Sequence, residues 1–266
     1  MDTMKLLTVN VHGWLEDRQE EKIAELARTI AEKDYDLIAL QEVNQSITAP
    51  YVSRELKADN YGLKVLEHLE SLVGPRYSYF WSNSHIGYDR YDEGIAILTK
   101  LPVYEVDAFY CSRHQKLDSI LSRKILGVTL SYQGQLIDCY SCHINLPDCP
   151  EEDQLENIKK IVNRTDHHRL KLFLGDFNTD ALSDQAAYEA IKGLGLYDGF
   201  ELAEEKDSGI TVEKAIDGWS GHSQEKRLDY IFLNQKRRVL ASQVIFNGSN
   251  KSPISDHFGV EISVEL

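Results

Sequence analysis

The stretch Leu172-Phe-Leu-Gly-Asp-Phe-Asn-Thr179 constrains this chain more than any other. An apolar run suited to a buried strand stops at Gly175, and Asp176 and Asn178 follow two residues apart. Residues two apart in extended chain face the same side. A carboxylate and an amide are therefore displayed together where a core strand meets a loop. The pattern recurs: apolar runs end at, or begin just after, Asn10, Glu42, Glu93, His143 and the adjacent Asp256-His257. Asp229 interrupts an apolar run itself, between Leu228 and Tyr230-Ile-Phe232. A carboxylate buried there without a partner costs several kcal/mol, so it needs a cation or hydrogen-bond donors. Many acidic oxygens and few thiols suit a hard divalent ion, Mg²⁺ or Mn²⁺.

Period-two and apolar runs predict strands at 5–11, 37–42, 77–81, 94–98, 102–109, 125–132, 136–144, 227–233, 239–246 and 260–264, besides the one ending at Asp176. Helical spacing appears at 18–33, with Asp17 as the expected N-cap, and around Leu66, Leu69 and Val73, closed by Gly74-Pro75. A third helix is expected to start at Pro150, and a fourth, capped by Ser183 or Asp184, to run through Ile191. Residues 44–62 and 85–92 read as loops and 203–226 as a long irregular segment. There is no repeat and no linker, so one domain over residues 1–266 is expected, an α/β fold of two stacked sheets with helices outside.

The formal charge is −14, which opposes general binding to nucleic acid phosphates or anionic membranes. No export-signal or membrane-spanning pattern is seen, so a cytoplasmic location is expected. Cys139-x-x-Cys142 lies in a strand-like run, where a spacing of three sends the sulfurs to opposite faces; buried thiols are expected rather than a metal knuckle.

Taken in order, Asn10, Leu40-Gln-Glu-Val43, Glu93-Gly-Ile-Ala-Ile-Leu98, Cys142-His-Ile-Asn-Leu146, Gly175-Asp-Phe-Asn178, Arg227-Leu-Asp-Tyr-Ile-Phe232 and Ser255-Asp-His257 resemble the endonuclease/exonuclease/phosphatase superfamily. The resemblance spans residues 5–264 and implies a four-layer α/β/β/α sandwich, with two mainly antiparallel mixed sheets and Mg²⁺-dependent hydrolysis of a phosphoester. It implies Glu42 as principal metal ligand, with Asn10 and Asp256 near the ion and Asp229 supporting the same end. It also implies water activation by the Asp176/His257 pair, a phosphoryl donor in Asn178, and phosphate or leaving-group contact from His143. Glu93 is expected to orient His143 by accepting its second N–H.

The composition and motifs point away from secreted nucleases and sphingomyelinases, which need export, and from inositol phosphatases, whose flanking Trp and Arg are replaced by Phe173 and Asp180. The opening stretch and Asp217-Gly-Trp219 are similar to cytosolic disaccharide-phosphate phosphatases of the maltose 6'-phosphate phosphatase type. A small phosphorylated sugar is the expected substrate, with Tyr88, Tyr91 and Trp219 stacking on the ring and Arg123 near phosphate. A metal-dependent nuclease is the alternative and a non-catalytic binding module the remote one. No obligate protein partner is implied.

Overall fold

The computed structural model describes residues 3–165, 168–214, 216, 219 and 225–266. The first half runs β1 (Thr3–Asn10), α1 (Gln19–Lys33), β2 (Leu37–Gln41), β3 (Gln45–Ser46), α2 (Tyr61–Val73), β4 (Ser78–Gly87), β5 (Tyr91–Thr99) and β6 (Val103–Tyr110). There follow β7 (Lys124–Tyr132), β8 (Gln135–His143), α3 (Gln154–Val162), β9 (Leu170–Asp176), α4 (Gln185–Lys192), β10 (Tyr197–Asp198) and α5 (Gly199–Leu202). The chain closes with β11 (Ala203–Lys206), β12 (Asp229–Leu233), β13 (Arg238–Ile245) and β14 (Gly259–Glu265).

Alternation along each strand divides the apolar residues among three cores. Leu6, Ala39 and Ile97 of one sheet meet Val128, Leu172 and Ile231 of the other. Their neighbours Leu7, Ile38 and Leu98 face the opposite way, against Ile23, Leu26 and Ile30 of α1 and Val65 and Leu69 of α2. Tyr140, Phe173 and Phe232 turn outward onto Ile158 and Ile161 of α3 and Tyr188 and Ile191 of α4. The result is the expected α/β/β/α sandwich. Cys139 lies between the sheets and Cys142 beneath α3 and α4, on opposite faces as the spacing predicts.

The eight-stranded sheet has the order β11-β13-β14-β1-β2-β5-β3, with β4 on β5; the six-stranded sheet has the order β10-β12-β9-β8-β7-β6. This topology positions the site. β1 and β2 are parallel, and β5 and β14 run against them, so the C-terminal ends of β1 and β2 share an edge with the N-terminal ends of β5 and β14. In the second sheet β8 and β9 are parallel and β12 is antiparallel to β9. Polar residues far apart in sequence therefore reach one end of both sheets.

Some local expectations are corrected. Residue 18, not Asp17, precedes α1: Arg18 adopts a left-handed conformation and its side chain caps nothing. Residues 85–92 are not a loop, because β4 continues to Gly87 and β5 begins at Tyr91. α3 starts four residues after Pro150, where Asp153 accepts from the Glu156 N–H. Of the two candidate caps for α4, Asp184 acts, accepting from the Ala187 N–H. The region after residue 203 opens with a strand, β11, paired parallel to β13. No helix among the described residues is long and apolar enough to cross a membrane.

Candidate active site

Parallel pairing sets His143 opposite Asp176, and antiparallel pairing sets Asp229 opposite Asp176. The close approach of β9 to β8 depends on Gly175. Its φ is +149°, and a Cβ there would stand 1.9 Å from the Cys142 carbonyl oxygen. Just beyond, Asn178 takes a left-handed φ of 48°, which asparagine tolerates better than most residues. Asp176 Oδ1 stabilises this turn by accepting the Asn178 N–H at 2.8 Å.

The other Asp176 oxygen is the hub of the site. Asn10 Nδ2 donates to it at 3.2 Å and to Glu42 Oε1 at 2.8 Å, so one amide bridges two buried carboxylates. His143 Nε2 lies 3.7 Å and His257 Nε2 3.8 Å from the same Asp176 oxygen. His257 Nδ1 donates to Asp229 Oδ2 at 2.9 Å, which orients its ring. Glu42, His143, Asp176, Asn178 and His257 form the floor of a cavity of about 370 Å³. His12, His85, Glu93 and Arg123 stand around the floor, and Tyr88, Ile120, Leu146 and Ile216 supply apolar wall. A larger groove, about 500 Å³, lies between α3 and α4. Its acidic groups are committed elsewhere: Glu152 to His114 at 2.6 Å and Asp153 to the cap of α3.

The electrostatics separate the two histidines. Burial opposes charge on His257, but the Asp229 and Asp176 carboxylates outweigh it and hold the ring protonated well above the usual histidine range. Burial pushes His143 well below that range, and Arg123, His85 and His257 add to the effect. The two rings are thus pushed in opposite directions, His257 toward the cation and His143 toward the neutral imidazole. Burial lifts Asp176 to about 7 even against the neighbouring imidazolium of His257. Burial, with the Glu93 carboxylate adding to it, lifts Glu42 to about 7. His12 is raised to about 9: burial opposes its charge, but Glu16, Asp256 and Glu42 prevail.

Of the thirteen residues expected in the site, the structure gathers most around this floor, with partners that differ from the expected ones in several cases. Asn10 presents nitrogen to the Glu42 and Asp176 carboxylates, and its Oδ1 accepts the His12 N–H at 3.2 Å. Asp229 is tied through one oxygen to His257, and its Oδ1 is buried with no hydrogen-bond partner. Glu93 does not receive an N–H of His143. Its Oε1 lies 3.3 Å from His85 Nε2 and 3.9 Å from Arg123 Nη1. Arg123 Nη1 sits 3.3 and 3.5 Å from the two His143 ring nitrogens, so the guanidinium stands over the ring rather than along either lone pair.

The aromatic expectations divide. Tyr88 is exposed on the cavity wall. Tyr91 is buried, its hydroxyl directed at the Trp14 carbonyl, and is no stacking platform. Trp219 packs on Val212, Ile216 and Leu228 and donates from Nε1 to Asn178 Oδ1 at 3.1 Å; it braces the amide instead of presenting a free ring face. Asp217, Gly218, Ala215 and residues 220–222 of the same segment lie outside the described residues.

His12, Glu16, His85 and the wall residues Ile120, Leu146 and Ile216 were not foreseen. His12 carried a signal, standing two residues after Asn10. His85 carried none, because a bulge in β4 aims it.

The donors fit a hard divalent cation. Glu42 and Asp256 line the cavity, and burial together with the Glu93 carboxylate lifts Glu42 toward protonation against the opposing His12 charge and Asn10 amide, a carboxylate that a cation would favour. Among the described residues, two sets of ligand atoms also converge within 4.8 Å: His12 with Glu16 and Asp256, and Asp176 with Asp229 and His257. In the first, Glu16 already holds His12 at 2.8 Å and Lys22 at 2.7 Å.

Comparison with known proteins identifies the fold and the family. A structure titled as an endonuclease/exonuclease/phosphatase family protein from Leptotrichia buccalis is 50% identical, with a TM-score of 0.95 over 99% of this chain and 100% of that one. A mannosyl-6-phosphatase from Bacteroides thetaiotaomicron superposes at a TM-score of 0.70 with 17% identity, over 99% and 100% of the two chains. TDP2 from D. rerio, complexed with single strand DNA product, superposes at 0.68 with 16% identity, over 100% of each chain. At those identities the last two show a shared fold. No curated protein sequence matches. The family model matches residues 7–257, and the chain belongs to the Endonuclease/Exonuclease/phosphatase family, whose members are metal-dependent phosphoester hydrolases.

Proposed function

We propose that this chain is a cytoplasmic, Mg²⁺-dependent phosphatase acting on a small phosphorylated sugar of the maltose 6'-phosphate kind. The observation that carries the reading is the single cavity of about 370 Å³ that encloses the catalytic floor, with Arg123 in its wall. Its size is that of small-molecule pockets, which run from about 300 to 1,000 Å³. Arg123 is short of partners: Nε is buried without one, and the Glu93 oxygen lies 3.9 Å from Nη1. An under-satisfied guanidinium suits the second negative charge of a phosphomonoester, which a diester lacks. Tyr88, Ile120 and Ile216 offer apolar faces to a sugar ring beyond the phosphate. The four free cysteines suit a reducing compartment. The mannosyl-6-phosphatase named above lends the sugar phosphate further support.

In this reading Asp176, lifted to about 7, accepts a proton from the attacking water as it closes on phosphorus in line with the leaving oxygen. The His257 imidazolium, held by Asp229, faces the negative charge that grows on the phosphoryl oxygens. One Asn178 Nδ2 hydrogen is engaged by the Ile144 carbonyl at 2.9 Å, which leaves the second for a phosphoryl oxygen. Bound through Glu42 and Asp256, Mg²⁺ would supply Lewis-acid neutralisation of the phosphoryl group.

The test is phosphate release from a panel of hexose, disaccharide and nucleoside phosphates with Mg²⁺, run beside nicking of supercoiled plasmid, with Asp176→Ala as blank. Release from a sugar phosphate without nicking is expected. Nicking that disappears in Asp176→Ala, without sugar-phosphate turnover, would replace the substrate by nucleic acid and leave the catalytic floor as described.

A further inference from the structure

The pair His85–Glu93 has no part in the chemistry described above, yet the fold builds it with care. In the antiparallel β4–β5 ladder the register shifts between Asn83 and His85, and this bulge sets His85 directly across from Glu93. Bulges commonly re-aim a side chain beside a functional site. Gly87 makes room for the pair, since a Cβ there would stand 2.8 Å from Glu93 Oε2. His85 and Glu93 are 3% and 7% exposed, so water does not separate their charges from the surroundings.

Hydrogen-bond geometry dictates where protons stand. His85 Nδ1 is 3.0 Å from the Ser122 carbonyl oxygen, which only accepts, so Nδ1 carries hydrogen. A neutral ring then has a bare lone pair on Nε2, 3.3 Å from Glu93 Oε1. Two buried acceptors at that distance repel, and one additional proton on the pair relieves the repulsion. Whether it resides on nitrogen or oxygen, the pair then has zero net charge instead of −1. The next residue after Ser122 is Arg123, whose Nη1 lies 3.9 Å from the same Glu93 oxygen. The other groups facing the pair are His143 and, across the cavity, Glu42 and His12.

We propose that His85 and Glu93 hold one shared proton and act as positioning residues, keeping the Arg123 charge free for the dianionic phosphate of a monoester. The inference rests on the monoesterase reading given above. Without the proton, ionised Glu93 would draw the guanidinium into an ion pair and withhold it from substrate. Burial pushes Glu93 toward its protonated form, against the Arg123 and His12 charges, and pushes His85 down to about 4, with Arg123 adding to the effect.

The test is a double-mutant cycle on the full chain with Mg²⁺, using p-nitrophenyl phosphate and bis(p-nitrophenyl) phosphate. His85→Gln can donate to Glu93 but brings no exchangeable ring proton, so the carboxylate stays charged. The expected monoester KM rise is about 10- to 100-fold, the range for losing a charged contact, with diester KM and both kcat values within about threefold. In a Glu93→Gln background, where no charge can form, the same substitution should change monoester KM by less than about threefold. Equal losses in both backgrounds, or equal losses for monoester and diester, overturn the proposal while the wild type's monoesterase activity keeps the functional reading intact. A wild type that hydrolyses no monoester overturns both. ¹⁵N spectra of the wild-type His85 ring supply a measurement that needs no variant: a hydrogen on Nδ1 at neutral pH is expected, and a bare Nδ1 refutes the geometry.

Discussion

Asp229→Asn isolates the charge that holds His257 protonated. The two residues are 2% and 4% exposed and meet at 2.9 Å. Asparagine keeps the shape, and its amide oxygen can still accept the Nδ1–H, so orientation survives while the negative charge does not. The bare Coulomb energy at that distance is about 6 kcal/mol for an effective dielectric of about 20, an upper bound on the effect. Hydrogen bonds to charged groups are worth about 1.5–3 kcal/mol, which converts to a His257 pKa lower by about one to two units. The sign follows from the structure. His257 is raised above its ordinary value, so its cation is present at low pH and lost as pH rises through the folded pKa. The alkaline limb of kcat should therefore move to lower pH by about one to two units, so kcat should fall by about 10- to 100-fold at pH values above the wild-type limb with KM little changed. A pH–rate profile of phosphate release measures both. An unmoved alkaline limb with kcat within about threefold of wild type would refute the assignment of His257 as the charged partner.

Trp219→Phe removes the donor to Asn178 Oδ1 while keeping most of the packing on Val212 and Leu228, so kcat should fall by about 5- to 30-fold with an unfolding midpoint close to wild type. Gly175→Ala would thrust a methyl to 1.9 Å from the Cys142 carbonyl oxygen, breaking the β8–β9 ladder. Its loss in urea unfolding should exceed about 4 kcal/mol, and a loss below about 1 kcal/mol would contradict the close approach. Glu152 is held at about 2: burial alone would raise it, but Asn157, the Arg113 and His114 N–H groups and the His114 ring prevail. A depressed carboxylate contributes stability above its unfolded pKa and loses it as pH falls, so unfolding free energy should decline between about pH 4.5 and 2. That share of the decline should be missing in Glu152→Gln, as measured by denaturant titration across that range.

Much of the architecture was legible because it rests on local periodicity. Leu6 and Leu7 enter different cores because strand residues alternate, and Cys139 and Cys142 part for the same reason. The polar residues at strand ends, Glu42, His143, Asp176 and Asp256-His257, signalled a shared edge, since carboxylates and histidines beside apolar runs need one another or a cation. Their side-chain partners were another matter. Glu93 was expected on His143 and instead meets His85, because a single extra residue in β4 changes which side chain crosses from that strand. Asn10 was expected near the metal, and the structure shows its amide bridging Glu42 and Asp176 while the backbone turn at His12, with φ of 44°, engages its oxygen. Trp219 left the substrate side because the Asn178 carbonyl stands in reach of its N–H. Sequence by itself determined which residues had to leave water and at which strand ends the polar groups would gather, since both follow from spacing along one chain. Only the tertiary structure decided which of those groups meet, because that depends on register between strands and on ångström separations that no single segment encodes.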